Sequence, residues 1–392
     1  MREVGILGTG MHPWGKFPEK SYVELGVYAC QMALKDAGIK WTDIEAIASG
    51  SYFWGGMAGL HAGHQLAAAM GETGIPIVNV ANACATATSA LRQGWMMVAS
   101  GLYDIVLVVG LDKSPKGFFP GLSEQPDDVE FLRWRMVGAS NPAYWAMECR
   151  RRMEEFGTTE EDLARIKVKA SKVGSLNPNA RYRKNFTLEE VMNSPMVCYP
   201  LRLYEICATS DGAAAVILAS MKKVRQHTTK VIKLAAASLA SPQFGDASIR
   251  LPLLSFPSEA KAPHLSESAM AAKKAYEQAG IGPEDLDLIE LPDNSSWHEL
   301  AYMEIIGICK EGEAEGLLRD GETELGGRIP VCPSGGANSF GEAIAAQGLL
   351  QVCENVLQLR GEAGARQVKD AKVAYSQVYG MLGNNSAAIV VR

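Results

Sequence analysis

No two cysteines in this chain stand in CxxC spacing, and no apolar run approaches the ~18 residues that suggest a membrane span. Acidic residues outnumber basic ones, 44 against 38. Each absence removes a class of function. Eight cysteines (30, 84, 149, 198, 207, 309, 332 and 353) scattered through 392 residues fit reduced thiols in a cytoplasm, not a disulfide framework or a zinc site, so no metal is expected in this chain. A net charge of -6 argues against wholesale nucleic-acid binding. The N-terminus has no basic segment followed by a long apolar one, and Val4 to Leu7 reads as a first strand, so no signal peptide is expected.

What is present is an ordinary globular composition, 47% hydrophobic and 21% charged, with enough apolar content for a large core. Two stretches echo each other: Ala33 to Ile47 reads ALKDAGIKWTDIEAI, and Ala275 to Ile289 reads AYEQAGIGPEDLDLI. Each reads as a helix end, a stop at Gly38 or Gly280, a short acidic turn and an apolar strand, glycine being favoured just past helix ends. Asp211 to Ser220 and Asn385 to Arg392 are both small-residue leads into apolar strands. The reading is two related α/β halves, 1–240 and 241–392, with sheets covered on both faces. Strands are expected near 3–8, 44–50, 75–81, 105–111 and 213–219, then 231–238, 286–291, 329–333, 372–378 and 386–391. Helices are expected near 22–37, within 61–70, and near 85–100, 266–279, 297–308 and 342–358. An insertion of roughly 112–208 interrupts the first half and is too long for a connector.

Cys84 carries the strongest chemical signal. The strand-like stretch Ile75 to Val80 leads almost directly to it, and it opens a small-residue helix from Ala85 to Ala99. A thiol at a helix N-terminus feels the positive end of the backbone dipole, which favours thiolate. That presents a nucleophile and points to acyl transfer. The alternative is a buried, inert cysteine. The insertion is locally basic between Arg150 and Lys184. It reads either as a surface for anionic groups such as coenzyme A phosphates or as a solvated helical face, with Arg150 to Arg152 a candidate contact for a substrate carboxylate.

Four runs, in this order along the chain, resemble motifs of the thiolase superfamily. NACATATSAL resembles its nucleophile segment, and CATSDGAAAVIL from Cys207 resembles the CPTSDGAAA stretch of its sterol-carrier-type branch. GGANSFGEAIAAQG from Gly335 resembles its GG…GHPIGATG loop, and SQVYGMLGNNSAAIVV its closing segment. The resemblance covers essentially the whole chain. It implies a five-layered αβαβα fold from two duplicated halves, a loop domain inserted in the first (about 112–208), and a homodimer. The chain departs from the family where GHP has histidine and this sequence has Glu342. It departs again at Pro292 to Ser295, where members have NEAF or HDCF, and at Val378, where degradative members carry a second catalytic cysteine.

Glu342 is therefore the candidate base for Cys84, a carboxylate beside an apolar cleft having a raised pKa. Its alternative is an acid facing water at a helix N-terminus. His298 is either an imidazole near the site or a locally packed side chain. Asn294 either orients a water or thioester oxygen or is a turn residue. Tyr379 either donates a hydrogen bond or packs. The resemblance implies an oxyanion hole from the backbone N–H groups of Cys84 and Gly380. Ser334, Gly335 and Gly336 form a loop able to approach a pantetheine arm closely.

The activity these features imply is thiolysis of a β-keto acyl-CoA, with coenzyme A entering as substrate. Within the superfamily the chain looks most like the thiolase-type subunit for benzoylsuccinyl-CoA in anaerobic aromatic degradation. That implies cleavage of 2-benzoylsuccinyl-CoA to benzoyl-CoA and succinyl-CoA, and a small zinc-ribbon/OB-fold partner subunit. The substrate carboxylate would suit the basic insertion. A second reading is retro-aldol cleavage of a β-hydroxy acyl-CoA, similar to the steroid side-chain aldolases of the same branch. A third is a non-catalytic acyl-CoA-binding subunit, against which a cysteine in a reactive setting argues.

Overall fold

Strand pairing runs through the same steps twice. The computed structural model describes residues 1–51, 61–114, 140–241, 265–380 and 384–392, so the opening of the expected insertion (115–139) lies outside the described residues. In the first set, β1 (Val4–Gly15) is antiparallel to β7 (Asp211–Ser220), and β7 is antiparallel to β4 (Ile105–Lys113). β4 is parallel to β2 (Ala46–Gly50), which is parallel to β3 (Ile77–Val80). In the second set, β8 (Ile232–Ala240) is antiparallel to β11 (Asn384–Val391), and β11 to β10 (Val373–Gly380). β10 is parallel to β9 (Leu288–Glu290), and Val331 bridges Ile289 in parallel where a fifth strand would stand. The strand expected at 329–333 shrinks to that single bridge because Pro330 and Pro333 lack the N–H groups a ladder needs.

β1 and β8 join the two sets through only two residue pairs, Gly5–Lys233 and Ile6–Ile232, giving one nine-stranded sheet. The duplication read from the Ala33 and Ala275 repeats is thus present in the strand order. β8 pairs along its length with β11, so in pairing it goes with the second set.

Helices fill three layers around these strands. Tyr22–Ala37 and Ala62–Met70 cover the outer face of the first half. Glu267–Ala279 and Ser296–Ile305 cover the outer face of the second. Between the halves lie Thr86–Ala99 and Gln347–Arg360, whose Leu91, Val98, Val352 and Val356 share one core with Val108 and Val216 of one half and Leu234 and Val390 of the other. This is the αβαβα arrangement. The insertion adds helices Asn141–Phe156, Glu160–Ser175 and Leu188–Met192 and the hairpin β5 (Met196–Cys198) and β6 (Leu201–Arg202). No helix among the described residues is long and apolar enough to cross a membrane.

Local chemistry sets these elements. Ser21 and Glu24 form a reciprocal capping box that starts helix Tyr22–Ala37, and Gly38, at φ 66°, ends it; Gly280, at φ 73°, ends the matching helix of the second half. β1 runs seven residues beyond the end expected at 8. Gly8 and Gly10 do not break it. They let the first helix seat its backbone on the strand, since a Cβ at Gly8 would meet the Ala33 carbonyl and one at Gly10 the Ala29 carbonyl. Gly348 does the same between the central helices: a Cβ there would lie 2.5 Å from Thr88 Cγ2 and 2.9 Å from Val378 Cγ2.

Gly10→Ala is accordingly expected to lower stability by about 1–3 kcal/mol, the usual range for overpacking, because the obstructing atoms are backbone and cannot rotate away. Denaturant unfolding of the full chain checks this, and an unchanged midpoint would refute it.

Candidate active site

The turn between β3 and the first central helix is sharp. Ala83 adopts φ 45°, uncommon for a residue with a Cβ. The Ala85 N–H donates to the Asn82 carbonyl (3.0 Å) and the Thr86 N–H to the Ala83 carbonyl (3.1 Å). The Asn82 N–H donates to Thr86 Oγ1 (2.7 Å), and its side-chain amide to Ser89 Oγ (2.8 Å). Cys84 stands at the apex, half-buried, two residues before the helix begins. Strained strand-to-helix turns of this kind present a nucleophile.

Glu342 lies beside that thiol. The helix expected from 342 begins only at Gln347, so Glu342 is not an exposed helix-terminal acid; it is 4% exposed. Its N–H donates to the Ala208 carbonyl (2.6 Å), and the Ser210 N–H donates to its carbonyl (2.8 Å). The segment leading into β7 thereby fixes its position. Cys84, Asn294 and Cys207 surround the Glu342 carboxylate as donors that favour its charged form. The Cys207 Sγ lies 3.9 Å from Glu342 Oε2, and Asn294 Nδ2 donates to that sulfur at 3.7 Å. The Cys207 N–H also donates to the Asn294 carbonyl (2.9 Å).

These surroundings correct the expected thiolate. Burial pushes the Cys84 thiol well above its ordinary range, and the Glu342 carboxylate pushes it further. The resting sulfur is a thiol beside a carboxylate, not a free anion sustained by the helix dipole. Burial also raises Glu342, against the three donors around it that favour its charged form. Cys207 was not among the sequence candidates. Its only signal there is its place at the head of the CATSDGAAA run.

Of the other candidates, Asn294 is brought into the site, as described. His298 sits in the first turn of helix Ser296–Ile305. Its Nδ1 accepts from the Ser295 N–H (3.1 Å), and its ring sits among Trp145 (4.9 Å), Trp297 (4.7 Å) and Tyr379 (5.3 Å). Burial holds it down to about 3, so the packed reading describes it and it is no base near neutrality. Tyr379 accepts from Trp145 Nε1 (3.3 Å) and lies near enough to Cys84 and Glu342 for ionisation of either to raise it. Gly380 is the last residue of β10, next to it.

Ser334, Gly335 and Gly336 are fully buried, so in this conformation the loop does not offer itself to a pantetheine arm. Ser334 donates to Glu290 from both N–H and Oγ (2.8 Å each). A Cβ at Gly335 would meet the Gly174 backbone at 2.7 Å, and one at Gly336 would meet the Asp293 carboxylate. That carboxylate accepts the Ala337 (2.6 Å) and Asn338 (3.1 Å) N–H groups. Internal packing accounts for both glycines. The basic stretch of the insertion is mostly paired as well. Arg152 is buried between Glu304 and Glu315, which removes it as a contact for a substrate carboxylate. Arg150 pairs with Glu154, Arg165 with Glu161 and Lys169 with Glu299.

Lys167 is different. It donates to the Asn338 carbonyl (2.6 Å), and burial lowers it to about 8. It lines a cavity of about 340 Å³ whose walls include Tyr182, Phe186 and Tyr204 and which reaches Cys207. Among the described residues no group of His, Cys, Asp and Glu is arranged to hold a metal ion.

A nucleophile elbow from one half facing a buried acid from the other is the feature to set against known proteins. Residues 4–222 match the family description "Thiolase, N-terminal domain", and residues 257–392 match "Thiolase C-terminal domain-like". The chain belongs to the thiolase family. As a member it is an acyltransferase of thiolase type. It is 34% identical over 397 residues to the acetyl-CoA acetyltransferase of Methanothermobacter thermautotrophicus, covering 99% of this chain and 98% of that one. It is 33% identical over 384 residues to the benzoylsuccinyl-CoA thiolase subunit BbsB of Thauera aromatica, covering 97% and 95%. Among solved structures, the Ltp2-ChsH2(DUF35) aldolase superposes with a TM-score of 0.82 at 25% identity, over 99% of this chain and 98% of that one.

The buried imidazole gives this thiolase a pH signature. Unfolded histidine titrates near 6.5, whereas folded His298 stays neutral down to about 3. Between those values the unfolded chain binds the extra proton, so this contribution is complete above about 6.5 and is lost as pH falls toward about 3, at up to about 1.4 kcal/mol per pH unit. In His298→Gln, which keeps an acceptor for Ser295, that part of the acid destabilisation is expected to disappear from denaturant midpoints measured from pH 7 to 4.

Proposed function

We propose that this chain catalyses coenzyme A-dependent thiolysis of a β-keto acyl-CoA through an acyl group carried on Cys84. The observation that carries the reading is the placement of the Cys84 thiol beside the buried Glu342 carboxylate, near enough for each to shift the other's titration. As sulfur attacks the ketone carbonyl, its proton passes to Glu342. The carbon–carbon bond then breaks, leaving the acyl group on sulfur and the electron pair on the α-carbon of the departing acyl-CoA. The α-carbon takes up a proton and free coenzyme A gives one up; the coenzyme A thiolate attacks the acyl carbonyl, the bond to the Cys84 sulfur breaks, and Glu342 returns its proton to Cys84. The backbone N–H groups of Cys84 and Gly380 are the proposed oxyanion donors.

The substrate we favour is 2-benzoylsuccinyl-CoA, yielding benzoyl-CoA and succinyl-CoA. Similarity to BbsB supports it, as does an aromatic-walled cavity carrying one ammonium group. The reading includes a homodimer and a small zinc-ribbon/OB-fold partner. β3, half-buried at the edge of the sheet, supports pairing with a second copy. The word "subunit" in one relative and the two-component aldolase among the structures support a partner. Eight free cysteines support a cytoplasmic setting. A retro-aldol lyase is the second reading, favoured by the TM-score of 0.82 to an aldolase.

Intact mass after mixing the full chain with β-keto acyl-CoA should show the acyl adduct on Cys84. Glu342→Gln should slow its formation by about 10²–10⁴-fold, the usual worth of a general base. Because Glu342 must be ionised to act, kcat/KM should fall with falling pH through a pKa above the ordinary carboxylate value of about 4.3, and this limb should vanish in the variant. Turnover of a β-hydroxy acyl-CoA that survives Cys84→Ala would favour the lyase instead.

A further inference from the structure

Cleavage of the carbon–carbon bond creates a demand that Cys84 and Glu342 do not meet together. The departing α-carbon needs a proton while Glu342 holds the one that belongs to Cys84. Later, the incoming coenzyme A thiol must lose one. From the geometry around Glu342 we propose that Cys207 is the second proton carrier of this reaction, a catalytic residue that protonates the departing α-carbon and afterwards deprotonates coenzyme A. This rests on the thiolysis reading.

Three observations carry it. The Cys207 sulfur reaches the same carboxylate as Cys84, at 3.9 Å from Oε2, so both thiols belong to one site. Cys207 lines the cavity of about 340 Å³ beside Lys167, so its sulfur faces open space as well as Glu342. Both protonation states have partners: the thiol donates to Glu342, while the thiolate keeps the Asn294 N–H at 3.7 Å and the nearby Lys167 ammonium. A group with partners for both states is suited to giving up and regaining a proton. Burial and the Glu342 charge keep the resting form a thiol, ready to donate.

The steps balance. The Cys207 S–H bond breaks, its proton bonds to the α-carbon, and that acyl-CoA leaves. The Cys207 thiolate takes the proton of free coenzyme A. The resulting coenzyme A thiolate attacks the acyl carbonyl, and the C–S bond to Cys84 breaks. The Cys84 thiolate recovers its proton from Glu342, and the enzyme is as it began.

The test separates this role from nucleophile presentation. The probes are 2-benzoylsuccinyl-CoA and acetoacetyl-CoA, each with free coenzyme A, and the 4-nitrothiophenyl ester of benzoic acid, whose leaving thiolate needs no proton. In the full chain with any co-purifying subunit, Cys207→Ala and Cys207→Ser should lose about 10²–10⁴-fold in thiolysis, the range for general acid–base groups, and at least tenfold less than that in acylation of Cys84 by the aryl ester. In D2O, wild type should exchange the α-hydrogens of the product acyl-CoA, and both variants should lose that exchange. Thiolysis or exchange near wild-type rate in either variant overturns the proposal and leaves Glu342 as the sole carrier. If Cys207→Ala fails to fold, so that the aryl ester does not acylate it, the near-isosteric Cys207→Ser decides. If wild type itself forms no acyl-Cys84 with either β-keto acyl-CoA, the thiolysis reading fails, and this role fails with it.

Discussion

Glu342 is removed from water and faces two thiols and one amide, all donors that favour its charged form. A lone carboxylate in that position would be costly to keep charged, and it would take up a proton instead. Its three donors make the anion tenable, and the anion in turn keeps both sulfurs protonated until a substrate arrives. Nucleophile, proton acceptor and orienting amide are therefore one electrostatic unit. None of them has its character alone.

That unit depends on the duplication. Cys84 comes from the turn before the first central helix, and Cys207 from the segment entering β7, both in the first half. Asn294 and Glu342 come from loops of the second half. The backbone of Ala208 to Ser210 ties the halves together at the site by exchanging hydrogen bonds with Glu342. The motif that reads in sequence as a lead into a strand is, in space, the bracket that holds the acid in place.

Much of this was legible in the residues. The repeat at Ala33 and Ala275, the alternation of helix and strand, and Cys84 between a strand and a small-residue helix are local patterns, and local patterns survive into structure. Glu342 and Asn294 were identifiable because they occupy motif positions. What was not legible depends on long-range packing. Gly8 and Gly10 look like a strand end and are a seat for a helix. His298 has the chemistry of a base, but three aromatic rings decide its titration. Cys207 carries no local mark of reactivity, because its partners lie 87 and 135 residues away in sequence. Ser334 to Gly336 look like a ligand loop, and buried acids explain them.

The seam between the halves has a consequence for how the site keeps its dimensions. Two paired residues are too few to lock one half against the other as a continuous ladder would. Alignment then falls to the side chains packed around the central helices, as where Gly348 meets Thr88 of the other central helix and Val378 of β10. A single methyl group inserted there, touching neither sulfur nor acid, would act as a shim. It would widen the gap across which the proton must jump, and chemistry would fail for reasons of carpentry.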